Sequence, residues 1–160
     1  MSAHGLSTLR GVVTQVESGD GIAVASSGAV HRVRLAEIDA PEVGQPHAIE
    51  SRETLIELVL DKDVEVIVIG EDGDGWLPGR VFAGMTDVNA ELVRRGLAWL
   101  DPQTVRDPVL IELEKIARRE MRGLWQDPYP IPPWEWRKGK RQAHQRNRAT
   151  PVTREHLEAG

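Results

Sequence analysis

Three strand-like stretches follow one another in the first 40 residues with only turn residues between them, and this order limits the fold more than any other feature of the chain. Residues 9–16 (LRGVVTQV) are rich in valine, and Glu17-Ser18-Gly19-Asp20-Gly21 breaks them off. Residues 22–25 resume, Ser26-Ser27-Gly28 marks a hairpin turn, and residues 29–38 (AVHRVRLAEI) follow the two-residue period of a strand. Consecutive strands of this kind argue against a helix bundle. They also argue against a doubly wound sheet, in which strands alternate with helices.

The rest of the chain completes a small barrel. Leu55, Ile56, Val59 and Leu60 fall at helical spacing within residues 49–60, and residues 63–69 (DVEVIVI) alternate strictly as a strand. A glycine-rich turn over 70–79 leads to a short fifth strand at 80–83. Asp87 caps a helix over 88–95 that Gly96 stops, and Asp107 caps another over 108–122, with Pro108 at its first position and Gly123 at its end. The order βββαββαα predicts an α+β protein, a five-stranded Greek-key barrel of the OB-fold kind with three flanking α-helices. A proline-rich hinge at 127–133 (DPYPIPP) ends it. The expected organisation is a flexible N-terminus over 1–8, one domain over 9–136, and a basic, flexible C-terminal tail over 137–160.

Charge is divided unevenly. The net charge is -5, yet residues 137–154 hold seven Lys or Arg and no acid, leaving 13 basic against 23 acidic residues in 1–136. A basic terminus is a common way to hold nucleic acid. The chain has no cysteine, so any metal must sit on oxygen or imidazole. No apolar run approaches the roughly 18 residues that span a bilayer. The opening MSAHGLSTLR lacks an apolar targeting core, so the chain as written is expected to be cytoplasmic, or secreted if it is a mature form.

The segment Arg34-Leu35-Ala36-Glu37-Ile38-Asp39-Ala40-Pro41-Glu42 gathers an arginine and several carboxylates at the end of the third strand. Pro41 holds Ala40 extended, which places Asp39 and Glu42 on a short rigid loop. A hard cation such as Ca²⁺ takes several oxygens together. Asp39 and the Ala40 carbonyl offer two, and Asp20, in the turn after the first strand, a third. Taken singly, an aspartate in a turn is an ordinary turn former.

The wider pattern resembles the staphylococcal nuclease (thermonuclease) family. Arg34 to Glu42 is similar to its R-L-x-x-I-D-[AT]-P-E signature, Val16 to Gly21 to its V-x-D-G-D-T turn, and Gly79-Arg80 to its Y-G-R. Asp87-Val88-Asn89 to Gly96-Leu97-Ala98 resembles its V-N-x-x-L-V-x-x-G-L-A helix, and Gly123-Leu124-Trp125 its closing G-L-W. The resemblance implies a calcium-dependent phosphodiesterase that cuts DNA and RNA at the 5′ oxygen and leaves 3′-phosphate ends, preferring unpaired strands and acting as a monomer. It implies Asp20, Asp39 and the Ala40 carbonyl as Ca²⁺ ligands, Glu42 as the group that orients or deprotonates the attacking water, and Arg34 and Arg80 as two guanidiniums on the scissile phosphate. The rival is an SNase-like module without catalysis that binds nucleic acid or protein; retention of the polar site residues favours the enzyme.

Three features depart from the pattern. Ser18 and Gly21 stand where the family turn has Asp and Thr, and the loop Asp74-Gly75-Trp76-Leu77-Pro78-Gly79 before Arg80 lacks the usual tyrosine. The acidic stretch Glu71-Asp72-Gly73-Asp74-Gly75 lacks the remaining ligands of an EF-hand and reads as a solvated turn. Trp134-Glu135-Trp136 offers two aromatics, either to stack on bases or to pack on the barrel.

Overall fold

A computed structural model of the chain describes residues 6–70 and 73–149, with side chains described through Lys140 and at Arg146. The acidic stretch at 71–75 therefore lies partly outside the described residues, as do residues 1–5 and 150–160 at the ends.

The meander expected from the sequence is present as β1 (Thr8–Val16), β2 (Gly21–Ser26) and β3 (Ala29–Leu35), paired antiparallel in turn. A short β4 (Ile38–Asp39) follows, then α1 (Ala48–Val59), β5 (Asp63–Val68), β6 (Leu77–Ala83) and β7 (Thr86–Asp87). The chain continues through α2 (Val88–Arg94), β8 (Trp99–Leu100), α3 (Pro108–Arg119), a 3₁₀ turn (Gly123–Gln126) and α4 (Pro133–Ala149). β1 pairs with β5, β5 with β6, and β6 returns to β3, so five strands close into the OB-type barrel.

Alternation explains which side chains fill it. Val13, Ile22, Val24, Val33, Leu35, Val66 and Val81 are fully buried inside, and Leu55 and Val59 of α1, Leu92 of α2 and Leu110 of α3 join the same core. Val13 and Val16 are three apart and would face opposite ways on a regular strand. The register of β1 against β2 shifts between Val13 and Gln15, a bulge that turns both inward.

Three expectations change. The third strand does not run to residue 38: the chain turns at Ala36-Glu37, where Glu37 has a φ of 68°, and Ile38 is then buried in the core. The fifth barrel strand starts at Leu77, earlier than residue 80, because Leu77 and Pro78 already pair in parallel with Val33 and Arg34 of β3. The helices number four among the described residues. The basic segment from 137 is not a loose tail as far as Ala149, since α4 begins at Pro133 and runs straight across the boundary expected at 136/137. A second apolar cluster anchors it: Trp99, Ala117, Leu124 and Trp125 are buried together with Trp134 against them, its ring 5.6 Å from that of Trp99. Trp134 thus packs on the protein.

Closure is reinforced by one buried side chain. Asn89, in the first turn of α2, accepts a hydrogen bond from the Val81 N–H at 3.0 Å and donates to the carbonyls of Ala36 at 2.9 Å and Gly79 at 3.2 Å. It binds both strands of the closing pair to the helix that covers them. Asn89→Ala removes this partner from the buried Val81 N–H and Ala36 carbonyl, at about 1–3 kcal/mol for each group left unpaired, while the Gly79 carbonyl keeps the Ala36 N–H. The expected outcome is a clearly lower urea midpoint at an unchanged slope, measured by equilibrium unfolding.

Candidate active site

A cleft of about 440 Å³ opens where the β1–β2 turn, the end of β3, the loop after β4 and the start of α4 meet. It is lined by Asp20, Arg34, Asp39, Ala40, Glu42 and Arg137 among others. Five of the six residues singled out by sequence are brought together here.

Each is placed by local structure. The β1–β2 turn is tied to β3 by the Leu35 N–H, which donates to the Asp20 carbonyl at 2.8 Å. It approaches closely because residue 19 is glycine: a Cβ there would lie 2.3 Å from Ser51 Oγ and 2.8 Å from the Ala40 Cβ. Asp20 then accepts hydrogen bonds from the Ala40 N–H at 3.0 Å and from Ser18 Oγ at 3.0 Å. Asp39 lies in β4 opposite Trp99. The Glu42 N–H donates to Gln45 Oε1 at 2.9 Å, which fixes the loop that carries the Glu42 carboxylate.

The electrostatics favour an added cation. Burial pushes the Asp20 carboxyl above its ordinary range; the Ala40 N–H pulls the other way, and the nearby charge of Asp39 raises it further. Among the described residues no cation makes an ion pair with Asp20. Two carboxylates therefore stand close together, one of them desolvated and served only by neutral donors. No three His, Cys, Asp or Glu among the described residues gather into a metal cage. A cation here would rest on Asp20, Asp39, a backbone carbonyl and water, a set of hard oxygens that suits calcium.

Arg80 is not part of this site. Its Nε and Nη2 fork onto Asp87 at 2.9 and 2.7 Å, and its Nη1 reaches Glu37 at 3.3 Å and Asp107 at 3.1 Å. Burial works against its charge, but the hydrogen bonds and attraction of Asp87, then of Asp107, outweigh that and raise its pKa above the usual value. Asp87 and Asp107 are the N-caps of α2 and α3, and the second Glu37 oxygen accepts from the Arg106 and Asp107 N–H groups. Arg80 thus neutralises the carboxylates that start two helices and fix the β3–β4 turn. The match of Gly79-Arg80 to the Y-G-R motif picked out a structural arginine. The sequence held only part of the signal against it, in the two aspartates that cap α2 and α3, each partly buried beside Arg80.

Sequence reasoning also missed Arg137, whose guanidinium enters the cleft and binds Asp39 and Glu42. It gave no link between Trp76 and Gly21. The Trp76 ring lies beneath the guanidiniums of Arg32 at 3.9 Å and Arg34 at 5.1 Å. A Cβ at residue 21 would come within 3.1 Å of that ring, so the two departures from the motif form one packed unit that backs Arg34. Asp101 lines the cleft too, but its carboxylate is used in its own turn, accepting from the Gln103 N–H and Thr104 Oγ1.

The chain was compared with known proteins. The family described as staphylococcal nuclease homologue matches residues 32–127. A protein named uncharacterized endonuclease, from Escherichia coli O157:H7, is 42% identical over 134 residues, covering 82% of this chain and 87% of that one. A micrococcal nuclease of Shigella flexneri is 37% identical over 145 residues, covering 84% and 83%. A probable staphylococcal-like nuclease of Oryza sativa subsp. japonica is 36% identical over 111 residues, 69% of this chain and 34% of its own length.

Two outcomes test this geometry. Because the Asp20 pKa is raised, its ionised form costs stability above that pKa, and the cost vanishes as pH falls toward the unfolded value. Asp20→Asn should raise the melting temperature of chelator-treated protein near pH 7, by about 2–4 °C for each kcal/mol relieved, with the gap closing in acid. Arg80→Ala strands three carboxylates and should lower unfolding stability by about 3–5 kcal/mol, read by urea titration.

Proposed function

This chain belongs to the family of staphylococcal nuclease homologues and is a phosphodiester-hydrolysing nuclease, and we propose that it is a calcium-dependent endonuclease of DNA and RNA that cuts at the 5′ oxygen and leaves 3′-phosphate ends. The observation that carries this reading is the convergence of Asp20, Asp39, Glu42 and Arg34 on one cleft. Unpaired strands are the substrate class that the family resemblance implies, and the protein acts as a monomer.

In this reading Asp20, Asp39 and the Ala40 carbonyl hold the calcium ion. When bound, calcium supplies fixed positive charge beside the phosphate oxygens, where negative charge accumulates during attack. Arg34 is exposed at the cleft rim, is in no ion pair among the described residues, and has Trp76 behind it. Its planar fork is free to take two phosphate oxygens. Glu42 receives the proton of the attacking water. Its loop is held by Gln45, so its carboxylate stays within reach of a nucleophile in the cleft.

The direct test is cleavage of heat-denatured DNA and of RNA with Ca²⁺ beside a chelator control, the product ends being assayed for 3′-phosphate. Asp39→Ala and Glu42→Gln should each lower kcat by about 10²-fold or more while the protein stays folded. Arg34→Lys should depress kcat much more than it raises KM, because lysine keeps the charge and loses the fork. Wild-type turnover of Asp39→Ala at saturating Ca²⁺ would remove the metal assignment.

A further inference from the structure

The geometry of the cleft points to a second arginine. We propose that Arg137, delivered by the C-terminal helix α4, is a phosphate-gripping catalytic residue of the nuclease site, a proposal that rests on the reading of the cleft given above.

Arg137 lies one turn into α4, in the segment whose composition alone suggested a solvated tail. Its Nη1 and Nη2 donate to the two Asp39 carboxylate oxygens at 3.2 and 2.8 Å, and Nη1 also donates to Glu42 Oε1 at 2.5 Å. The hydrogen bonds it donates to Asp39 come first among the causes that hold its guanidinium firmly protonated. The side chain remains 42% exposed, so a ligand entering the cleft can reach it.

This placement is built into the fold. Gln45 is buried; its Oε1 accepts from the Glu42 N–H, and its Nε2 donates to the Ile131 carbonyl just before α4. One side chain therefore sets the Glu42 loop and the entry to the helix in register. Trp134 locks the first turn against Trp99, and Lys140 Nζ donates to the Val43 carbonyl at 3.2 Å one turn beyond Arg137. A solvated terminus needs none of these contacts.

The chemistry then decides the role. With Asp39 holding a cation and Glu42 the attacking water, a phosphate under attack would lie between those two carboxylates. Arg137 already spans that gap. With Asp39 turned to a bound cation and Glu42 to the water, the N–H donors of Arg137 would be free between them to meet phosphate oxygens. Arg80 cannot do this, being held by three carboxylates on another face. Arg34 and Arg137 are the two arginines lining the cleft.

The test uses the full chain, with Arg137→Gln and Arg137→Lys as variants. Three quantities are read: calorimetric titration with CaCl₂ alone, binding of a single-stranded oligonucleotide with phosphorothioate at every linkage in Ca²⁺, its integrity checked after the titration, and the split of kcat against KM. Removing a competing cation from Asp39 should tighten Ca²⁺ binding several-fold in R137Q, while oligonucleotide binding weakens and kcat falls by about 10²-fold. R137K, which keeps charge and the anchoring of α4, should still lose at least about 10-fold in kcat with KM little changed. It decides the matter if R137Q fails to fold. A folded R137Q, or an R137K, with the kcat of the wild type overturns the assignment alone, the calcium site standing. A variant that cuts faster marks the contact as an inhibitory clasp and overturns it likewise. Wild-type protein that shows no Ca²⁺ binding overturns both this proposal and the reading beneath it.

Discussion

The parallel pairing of β3 with β6 closes the barrel, and the positions of the cleft residues depend on it. Only three residue pairs make it, Val33 with Leu77, Arg34 with Pro78 and Leu35 with Gly79, and Pro78 brings no N–H to the ladder. A contact this short is weak unless its ends are held. The Ala36 N–H extends it by one bond to the Gly79 carbonyl, and Asn89 fastens the same two chains from the side of α2. With the end of β3 fixed, the turn at Ala36-Glu37 and the Asp39 to Glu42 loop leave the barrel in one direction only.

From that turn the chain sends carboxylates to opposite uses. Glu37, in a left-handed conformation, turns to Arg80 and the start of α3. Asp39, two residues on, faces the cleft and meets Arg137. The two clusters follow different logic. Around Arg80 two of the carboxylates also cap helices and the third also accepts from the backbone before α3, so the group is closed and costly to disturb. Around Asp39 and Glu42 the arginine is half exposed, and beside it the Asp20 carboxylate takes its hydrogen bonds from neutral donors and makes no ion pair among the described residues, Arg34 attracting it only from a distance. The first group serves stability and the second is the one the proposed chemistry draws on, although both contain one arginine among acids.

That difference explains how far the sequence could be read. Strand order, helix caps and most of the cleft were legible, because they rest on local rules: period, turn residues, and a nine-residue motif whose members lie on one continuous stretch. Arg80 was misplaced because a two-residue match fixes residue types and not the side of the strand they face, and the acids that claim it lie at 37, 87 and 107. Arg137 was hidden for the opposite reason. Past Trp136 the helix is polar all round, so it carries no apolar stripe to announce itself, and its position comes from Trp134 and Gln45, which lie at its start and across the cleft. The link between Gly21 and Trp76 was invisible because it is a contact between two loops that pattern matching treats separately.

The uneven charge of the chain takes on a physical meaning in this arrangement. A polyanionic strand approaching a body with 23 acidic and 13 basic residues in its first 136 meets a repulsive average field. Attraction must come from local geometry. One rim of the cleft carries Arg34, with Arg32 beside it on the Trp76 ring, and the other carries Arg137 from the start of a helix rich in lysine and arginine. The carboxylates lie between these rims, where a divalent cation would reverse their sign. A strand drawn to both rims is thereby led across the acidic floor, and the guanidiniums nearest that floor are the ones with the fork geometry to hold a single phosphate there. The helix after the proline hinge is accordingly the second wall of the site, and the barrel without it would present only half of the cationic surface that its substrate requires.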